Sequence, residues 1–382
     1  MGKDLDNTIA VFGRWLHLPS TTALHATLGA VAAHQLPGAP VWLLTVGAPS
    51  SGKTEPLDAM MGLDDVYGLS TLTEAALLSA SPKREKSETA TGGLLREIGS
   101  SGIIVAKDFG SILSMHKESS GQVLAALREI YDGRWDRHVG TDGGETLHWS
   151  GRVSFLGGVT QTIERHHAVM GALGERFMLT RLPPTDERAQ ASQALKNAGK
   201  EKQMKAELSE AVLALFDNTV EPPELNDDDF EQLVSLASLA VRCRSAVERD
   251  NYGSREIEFI PDAEHPARFA KALASLTGGL RSIGADEETV WRVVRSVALD
   301  SIPAARRAFM VELLARRQGS GMRELCRATG YPLTTTRRTL EDLAAHKVIE
   351  RAGESWRITQ WTIDAWAATG IRDLGYTPKN TS

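Results

Sequence analysis

Residues 47–54 read G-A-P-S-S-G-K-T, with glycine at the first and sixth positions and then lysine and threonine. This is the eight-position pattern of a phosphate-binding loop. In that pattern Lys53 reaches the β- and γ-phosphates, and the hydroxyl of Thr54 binds Mg²⁺. We therefore expect the chain to bind a nucleoside triphosphate, ATP in our interpretation, together with Mg²⁺. The expected nucleotide-binding residues are Gly47, Ala48, Pro49, Ser50, Ser51, Gly52, Lys53 and Thr54.

The sequence on either side of the loop supplies the context that the motif needs. Residues 41–46 (V-W-L-L-T-V) form a short apolar run that predicts a strand ending at the loop. Residues 55–61 (E-P-L-D-A-M-M) predict a helix start, with proline and acids in its first turn. A strand, a loop and a helix N-terminus together direct backbone N–H groups at one point, which suits a polyphosphate.

Composition limits the classes of protein that the chain can represent. A length of 382 residues allows two or three domains, and 42% hydrophobic and 24% charged residues are ordinary for a globular protein. No apolar run approaches the roughly 18 residues of a membrane span, and the first residues do not resemble a secretion signal. Cys243 and Cys326 lie too far apart for a zinc motif. We therefore expect a cytoplasmic protein with no membrane partner.

Charge is distributed unevenly along the chain. The formal net charge is −6, yet residues 303–382 hold 13 Lys and Arg against 8 Asp and Glu. A basic C-terminal part on an acidic body indicates a nucleic-acid partner.

A second informative stretch is G-I-I-V-A-K-D at residues 102–108. Apolar residues that end in an acid predict a buried parallel strand, which would place Asp108 beside the phosphate loop. We expect Asp108 to hold Mg²⁺ directly or through water. Many ATPases have two successive acids here, whereas Phe109 follows Asp108 in this chain. Asp108 could therefore be the metal ligand or the general base, and the identity of the base stays open.

The remaining pattern predicts an α/β fold. Residues 134–139 and 145–149 around an Asp-Gly turn predict a β-hairpin. Residues 152–159 predict a buried strand that ends at Thr160 and Gln161, and residues 177–182 predict a last strand. Strands that alternate with helices around the loop predict an open parallel sheet flanked by helices. The expected domains are a helical preface (1–36), a phosphate-loop ATPase core (37–185), an all-α lid (186–302) with an acidic linker at 218–231, a winged helix (303–370) and a tail (371–382).

Three helices and a short hairpin in residues 303–370 predict a winged helix-turn-helix. Its third helix, at residues 334–346, would enter the DNA groove. We expect exposed DNA-binding residues early in that helix and on the wing: Thr335, Thr336, Arg337, Arg338, Arg351 and Arg357. A winged helix that binds protein and not DNA is the alternative, because the basic excess is modest.

The order of these features resembles that of AAA+ ATPases over roughly residues 40–300. The segments K-D-F-G-S-I-L-S-M, A-L-R-E-I-Y-D-G-R-W and M-G-A-L-G-E-R-F are similar to ATPases of phages and mobile elements of actinobacteria. The resemblance implies a helicase-type core with a hairpin before the strand that carries the first sensor, an all-α lid, and ATP bound between subunits of a hexameric ring.

The resemblance also implies roles for individual residues. Thr160 or Gln161 would be the first sensor, and Arg176 would be an arginine finger acting on a neighbouring subunit's nucleotide. Arg268 would be the second sensor, while Arg137 and His138 on the hairpin would face single-stranded DNA in the pore. Surface salt bridges are the alternative for Arg176 and Arg268, and an ordinary exposed hairpin is the alternative for Arg137 and His138.

Three functions are compatible with this reading. The first is a DNA helicase, translocase or replication-initiator ATPase of a phage or mobile element. The second is an ATP-switched DNA-binding transcriptional regulator, and a helicase loader is a third possibility. We favour the first, a DNA-stimulated ATPase that acts as an oligomeric ring, and keep the other two as alternatives.

Overall fold

The computed structural model describes residues 3–69, 72–79, 92–140, 144–166, 176–250, 255–316 and 318–372. These residues divide into two compact units. Unit 1 takes the described residues within 1–163, 176–223 and 275–294. Unit 2 takes those within 164–175, 224–274 and 295–382. In the described stretches, no helix combines the length and apolar character needed to cross a membrane.

Unit 1 is built on a five-stranded sheet. The strands of this unit are β1 Trp42–Val46, β2 Val66–Leu69, β3 Ser101–Ala106, β4 Arg134–Val139, β5 Glu145–Ser150, β6 Arg152–Val159 and β7 Met178–Arg181. The sheet order is β2-β3-β6-β1-β7, and every pairing is parallel. Strands β4 and β5 pair separately as an antiparallel hairpin. The predicted parallel sheet and the predicted hairpin strands are thus confirmed, although the tip of the hairpin (141–143) lies outside the described residues.

The core of this sheet forms because its central strands are almost continuously apolar. All five residues of β1 are buried, as are all but the first residue of both β3 and β6, as expected for parallel strands covered on both faces. An aromatic cluster joins Trp42, Phe109, Phe155 and Phe177, with ring centroids 4.9–5.8 Å apart. The sequence did not predict β2, which is only four residues long and contains Gly68.

The helices are short to medium in length. Those that begin before residue 224 are α1 Lys3–Trp15, α2 Thr22–Gln35, α3 Thr54–Met60, α4 Glu74–Leu77, α5 Leu94–Ile98, α6 Gly110–Leu113, α7 Lys117–Tyr131, α8 Glu187–Asn197 and α9 Glu201–Phe216. Those that follow are α10 Asp227–Arg244, α11 Ala267–Ser282, α12 Glu287–Asp300, α13 Ala304–Ala315, α14 Met322–Thr329, α15 Leu333–Ala345 and α16 Gln360–Ala368. Helices α11 and α12 are each divided between the two units. In α11 the residues up to 274 belong to unit 2, and in α12 the residues up to 294 belong to unit 1.

The Ala-rich helix α2 is buried along most of its length. It reaches the C-terminal part of α11 through glycines, because a Cβ on Gly279 would lie 2.1 Å from the carbonyl oxygen of Gly29. Only glycine permits so close an approach of two backbones. The N-terminal helices are therefore integral to the core of unit 1.

Two predictions between residues 186 and 302 are wrong. The expected acidic linker at 218–231 contains the start of α10, where Asn226 and Asp229 form a reciprocal capping box. Acids satisfy the free N–H groups and the positive end of a helix dipole, so this acidic run begins a helix. The lid expected to be all-α at 186–302 also contains strands, because α10 ends at Arg244 and β8 Glu248–Arg249 pairs with β9 Ile257–Phe259.

Residues 303–370 form the predicted three helices and hairpin. Strands β11 Ile349–Ala352 and β12 Ser355–Ile358 are antiparallel, and β10 Ser320–Gly321 completes the order β10-β12-β11. Gly330 ends α14 in the left-handed conformation at φ 70°, which turns the chain into α15. The sequence predicted neither β10 nor α16.

Candidate nucleotide site and C-terminal DNA-binding module

Residues 47–54, the predicted phosphate loop, join the buried end of β1 to α3. The N–H of Gly47 donates to the carbonyl of Val159 at 3.1 Å, which fixes the start of the loop on the sheet. A Cβ at Gly47 would lie 2.6 Å from Ser51 Oγ, so the loop folds back on its own first residue. Ser50 and Gly52 have φ values of 58° and 81°. The loop is therefore a tight turn, and the positive φ at its sixth position favours glycine there.

Lys53 is turned back onto this loop. Its Nζ donates to the carbonyls of Gly47 at 3.0 Å and Ala48 at 2.5 Å, and to Ser51 Oγ at 3.3 Å. Burial lowers the pKa of Lys53, while the charges of Asp108 and Glu55 act in the opposite direction. The ammonium group thus lies within the electrostatic reach of both carboxylates.

The strand register brings the predicted site residues to one edge of the sheet. Val46 pairs with Val159, so Gly47 and Thr160 leave neighbouring strands at the same level. The N–H of Phe109 donates to Gly158 at 2.8 Å, which places Asp108 beside the end of β6. Asp108 therefore emerges at the same carboxyl edge as the phosphate loop.

At this edge the chain also switches the side of the sheet towards which it adds its next strand. From β1 the chain continues to β2 at one side of the sheet, and from β6 it continues to β7 beyond β1. Open α/β sheets bind their ligands at such switch points, outside the carboxyl ends of the strands. Thr160 Oγ1 lies 2.7 Å from Thr162 Oγ1, and Gln161 is exposed.

Asp108 is exposed and held by its own turn. Its Oδ1 accepts the N–H of Gly110 at 2.9 Å. The preceding Lys107 forms an ion pair of 2.5 Å with Asp58 on α3, which ties the end of β3 to the helix that follows the loop. Phe109 is fully buried in the aromatic cluster. Position 109 thus belongs to the core, and the identity of the base stays open.

Two residues near the loop were not singled out from the sequence. Glu55 follows Thr54, and its Oε2 is buried without a hydrogen-bond partner among the described residues. Gln190 on α8 donates from Nε2 to the carbonyl of Ser50 at 2.7 Å. The position of Glu55 next to the motif could have indicated it. Gln190 is 140 residues from Ser50 in the sequence and has no motif.

Arg176, the expected arginine finger, is paired with a residue of its own chain. Arg176 donates to Asp132 at 2.8 Å, its side chain is 9% exposed, and its guanidinium carbon lies 5.8 Å from the centre of the Tyr131 ring. Arg268 lies in unit 2, where it is 3.7 Å from Glu264 on the same chain segment. Their roles as finger and second sensor stay predictions.

The two hairpin residues differ in exposure. Arg137 donates to the carbonyl of Leu78 at 2.5 Å and is 21% exposed, so its guanidinium group packs beside α4. His138 is exposed, and its Nδ1 lies 2.8 Å from Thr146 Oγ1. A contact of this hairpin with DNA stays a prediction.

On α15 the structure corrects one predicted DNA contact. Thr336 is 0% exposed, and its hydroxyl bonds to the carbonyl of Pro332 at 3.1 Å. It packs inward because it lies on the same helical face as the buried Thr339, Leu340 and Leu343. Thr336 therefore stabilises the module and is not available to DNA.

Other side chains of α15 do face solvent. Arg337 is exposed and 3.8 Å from Glu341, whereas Thr335 and Arg338 are half-buried. Leu333 is 54% exposed and Thr334 is exposed, and sequence reasoning did not select either. The exposed face of α15 thus begins two residues earlier than predicted.

Both predicted wing residues are exposed. Arg351 donates from Nε to the carbonyl of Gly353 at 3.0 Å. Arg357 donates from Nε to Glu350 at 2.6 Å, with side chains 55% and 48% exposed. Their charges face solvent on the hairpin β11–β12.

The opposite side of α15 is fixed by an interior ion-pair network. Asp342 accepts from Arg249 at 2.6 Å and from Arg306 at 3.1 Å. Arg306 also donates to the carbonyls of Cys243 and Ser245 at 3.0 and 2.6 Å. This network holds α15 against α10, α13 and the β8–β9 hairpin.

Comparison with known protein families identifies the C-terminal module. Residues 304–353 match the model of the IclR helix-turn-helix domain. The chain carries a C-terminal helix-turn-helix DNA-binding domain. The match spans α13, α14, α15 and all of β11, so DNA is the partner that this module indicates. No curated protein matches the chain.

Proposed function

We propose that the chain is a magnesium-dependent ATPase that binds DNA through its C-terminal helix-turn-helix domain. The observation that carries the ATPase part is the convergence of the phosphate loop, Asp108 and Thr160 at one carboxyl edge of a parallel sheet. The family match to residues 304–353 supports the DNA-binding part.

The residues at this edge fit a magnesium-bound triphosphate. The loop brings Ser51 Oγ close to Gly47, and the first turn of α3 has N–H groups without helical partners. Lys53 would exchange its bonds to the loop carbonyls for phosphate oxygens. Among the described residues, no three His, Cys, Asp or Glu side chains cluster as a metal site, so the protein ligands for Mg²⁺ would be Thr54 and Asp108.

Each residue then has a defined task. Bound Mg²⁺ would offset negative charge on the phosphates. Lys53 adds a fixed positive charge, Asp108 orients the metal or accepts a proton from water, and Thr160 or Gln161 positions the attacking water. Burial lowers the pKa of Lys53, and the charges of Asp108 and Glu55 offset part of this shift.

For the complete protein we propose a ring-forming replication initiator or helicase of a phage or mobile element. In such a ring, Arg176 would exchange its intrachain partner Asp132 for the nucleotide of a neighbouring subunit. Single-stranded DNA would pass the β4–β5 hairpin with His138 and Arg137, while the winged helix would bind duplex DNA. Backbone contacts of this kind tolerate sequence changes and weaken with salt.

A second candidate is an ATP-switched transcriptional regulator. Two observations favour it: the helix-turn-helix match is of the IclR type, and the guanidinium group of Arg137 is bonded to its own chain. In this case ATP would set the oligomeric state, and the winged helix would recognise an operator.

One set of measurements tests both candidates. ATP turnover and mass in ATP would be measured with and without single-stranded DNA, for the wild type, for Lys53→Ala and for the exposed control Lys202→Ala. A motor should form a ring, hydrolyse ATP faster with single strands and displace a strand, and only Lys53→Ala should abolish these activities. A regulator should bind duplex DNA tightly and selectively without unwinding it. A protein that stays monomeric in ATP and turns none over would contradict the ATPase proposal.

A further inference from the structure

We propose that Leu333 is a base-reading residue that contacts the 5-methyl group of a thymine in the major groove. Leu333 is the first residue of α15 and is 54% exposed, although it is a large apolar side chain. The N-terminal residues of a recognition helix are the ones that reach base edges in helix-turn-helix domains. The inference rests on the DNA-binding part of the proposed function.

The surroundings of Leu333 suit a DNA groove. Thr334 and Arg337 are exposed on the same part of α15, and Arg351 and Arg357 are exposed on the wing. These polar and basic side chains would contact the phosphates and base edges of a duplex, while Leu333 offers the apolar contact that a thymine methyl group requires. Apolar contact with this methyl group is a known form of major-groove recognition.

The position of Arg337 adds a constraint on the DNA sequence. Leu333 and Arg337 are one helical turn apart, which corresponds to roughly 6 Å along the helix. Successive bases rise by about 3.4 Å, and an arginine in the groove prefers the O6 and N7 acceptors of guanine. The thymine read by Leu333 therefore lies within about two base pairs of a guanine read by Arg337.

Comparison with the buried neighbour Thr336 separates a role of Leu333 in DNA recognition from a role in folding. Thr336 supports the module from inside, whereas the Leu333 side chain is largely in solvent. Replacing Leu333 by alanine should leave the fold intact and change only the response of binding to the thymine methyl group.

The test begins with selection of preferred sites from a randomised duplex library by the full-length wild-type protein. Each thymine of the selected site is then replaced in turn by deoxyuridine, which lacks only the methyl group, and the Kd is measured at fixed salt. Loss of one methyl contact should weaken wild-type binding about four-fold at one thymine. This comparison requires no protein variant and is independent of folding.

The variant Leu333→Ala then completes a double-mutant cycle, in which the other change is removal of the thymine methyl group. It should bind the thymine site about four-fold more weakly than the wild type and should no longer distinguish thymine from deoxyuridine. Leu195→Ala, at a 77% exposed leucine on α8, is the matched control and should keep the wild-type ratio.

Two results would overturn the inference. One is a wild-type protein that binds a selected site but is indifferent to every thymine methyl group. The other is a Leu333→Ala protein with the wild-type ratio at every thymine. A protein that selects and binds no duplex at all would instead refute the DNA-binding function on which the inference rests.

Discussion

The sheet edge of unit 1 and the recognition helix of unit 2 use acidic residues in opposite ways. At the sheet edge Asp108 is exposed, and its Oδ1 accepts a single backbone N–H two residues ahead. On α15 the side chain of Asp342 is 18% exposed and accepts two arginines that approach from other elements. The first carboxylate is available to a ligand, whereas the second is part of the interior. Removing the first should impair chemistry, and removing the second should impair stability.

The largest effect should come from Asp342→Ala. The substitution removes the carboxylate that Arg249 and Arg306 share, while Arg249 keeps Glu341 at 3.0 Å. The loss should therefore reach at most the roughly 3 kcal/mol typical of breaking a buried pair. Native-state hydrogen exchange of the α15 amides should show this loss. Glu350→Ala removes a partner from an ion pair that is about half exposed, so it should cost less than about 1 kcal/mol. Equal effects of the two variants would contradict the interior role of Asp342.

Asp108→Asn should have the opposite effect, a loss of activity without a loss of stability. Asparagine keeps the oxygen that accepts from Gly110 but removes the negative charge, so thermal stability should be unchanged. If ATP turnover occurs at this edge, kcat should fall by a factor on the order of 10²–10³. Steady-state ATPase assays would measure the loss, with Asp64→Asn at another exposed acid as the control. A stable Asp108→Asn protein with full activity would exclude Asp108 from the site.

Acidic pH should lower the stability of unit 1 because His34 is buried. This histidine is 5% exposed between Ser154 Oγ at 3.0 Å and Ser101 Oγ at 3.1 Å, and burial lowers its pKa to about 4. Below pH 6.5 the imidazole of His34 therefore gains a proton in the unfolded chain but stays neutral in the folded chain. The free energy of unfolding falls as the pH drops from 6.5 towards 4. The loss from this group should be about 2 kcal/mol at pH 5.

Urea unfolding at pH 7 and pH 5 measures this effect. His34→Gln should lack that part of the pH dependence, whereas His116→Gln, at an exposed histidine, should keep it. Burial also lowers the pKa values of His25 and His346, so some loss of stability in acid should remain in the variant. A wild-type pH dependence in His34→Gln would contradict the assignment.

The smallest effect should come from a single exposed wing charge. Arg351→Ala should weaken duplex binding almost equally for all sequences and reduce the slope of log K against log salt by about 1. Titrations at several salt concentrations would measure the slope. Arg188→Ala, at an exposed arginine of unit 1, is the control. An unchanged slope in Arg351→Ala would remove this wing residue from the DNA interface.

Local sequence signals predicted the parts of the molecule that depend on neighbouring residues. The strands around 41–46, 102–108 and 152–159 were identifiable because buried parallel strands are continuously apolar. The three C-terminal helices and their hairpin also followed from local pattern. By contrast, the acidic run at 227–229 was misread as a linker, because the same residues favour solvent and the first turn of a helix.

Burial and partners were less predictable, because they depend on segments that are distant in sequence. Arg137 and Arg176 look like exposed cations in the sequence, yet each is bonded to its own chain through Leu78 and Asp132. Thr336 was expected to be exposed but is buried, since the packing of α15 against its neighbours decides which face is buried.

The sequence by itself determined the phosphate-loop pattern, the acid at 108 and the C-terminal helix-turn-helix, because each depends on spacing within one short segment. The tertiary structure alone decided that Gly47, Asp108 and Thr160 meet at one edge, since strand order and register bring together segments from three parts of the chain. It also decided which charges face solvent and which, like those of Arg249, Arg306 and Asp342, are held inside, because burial depends on what packs against each side chain.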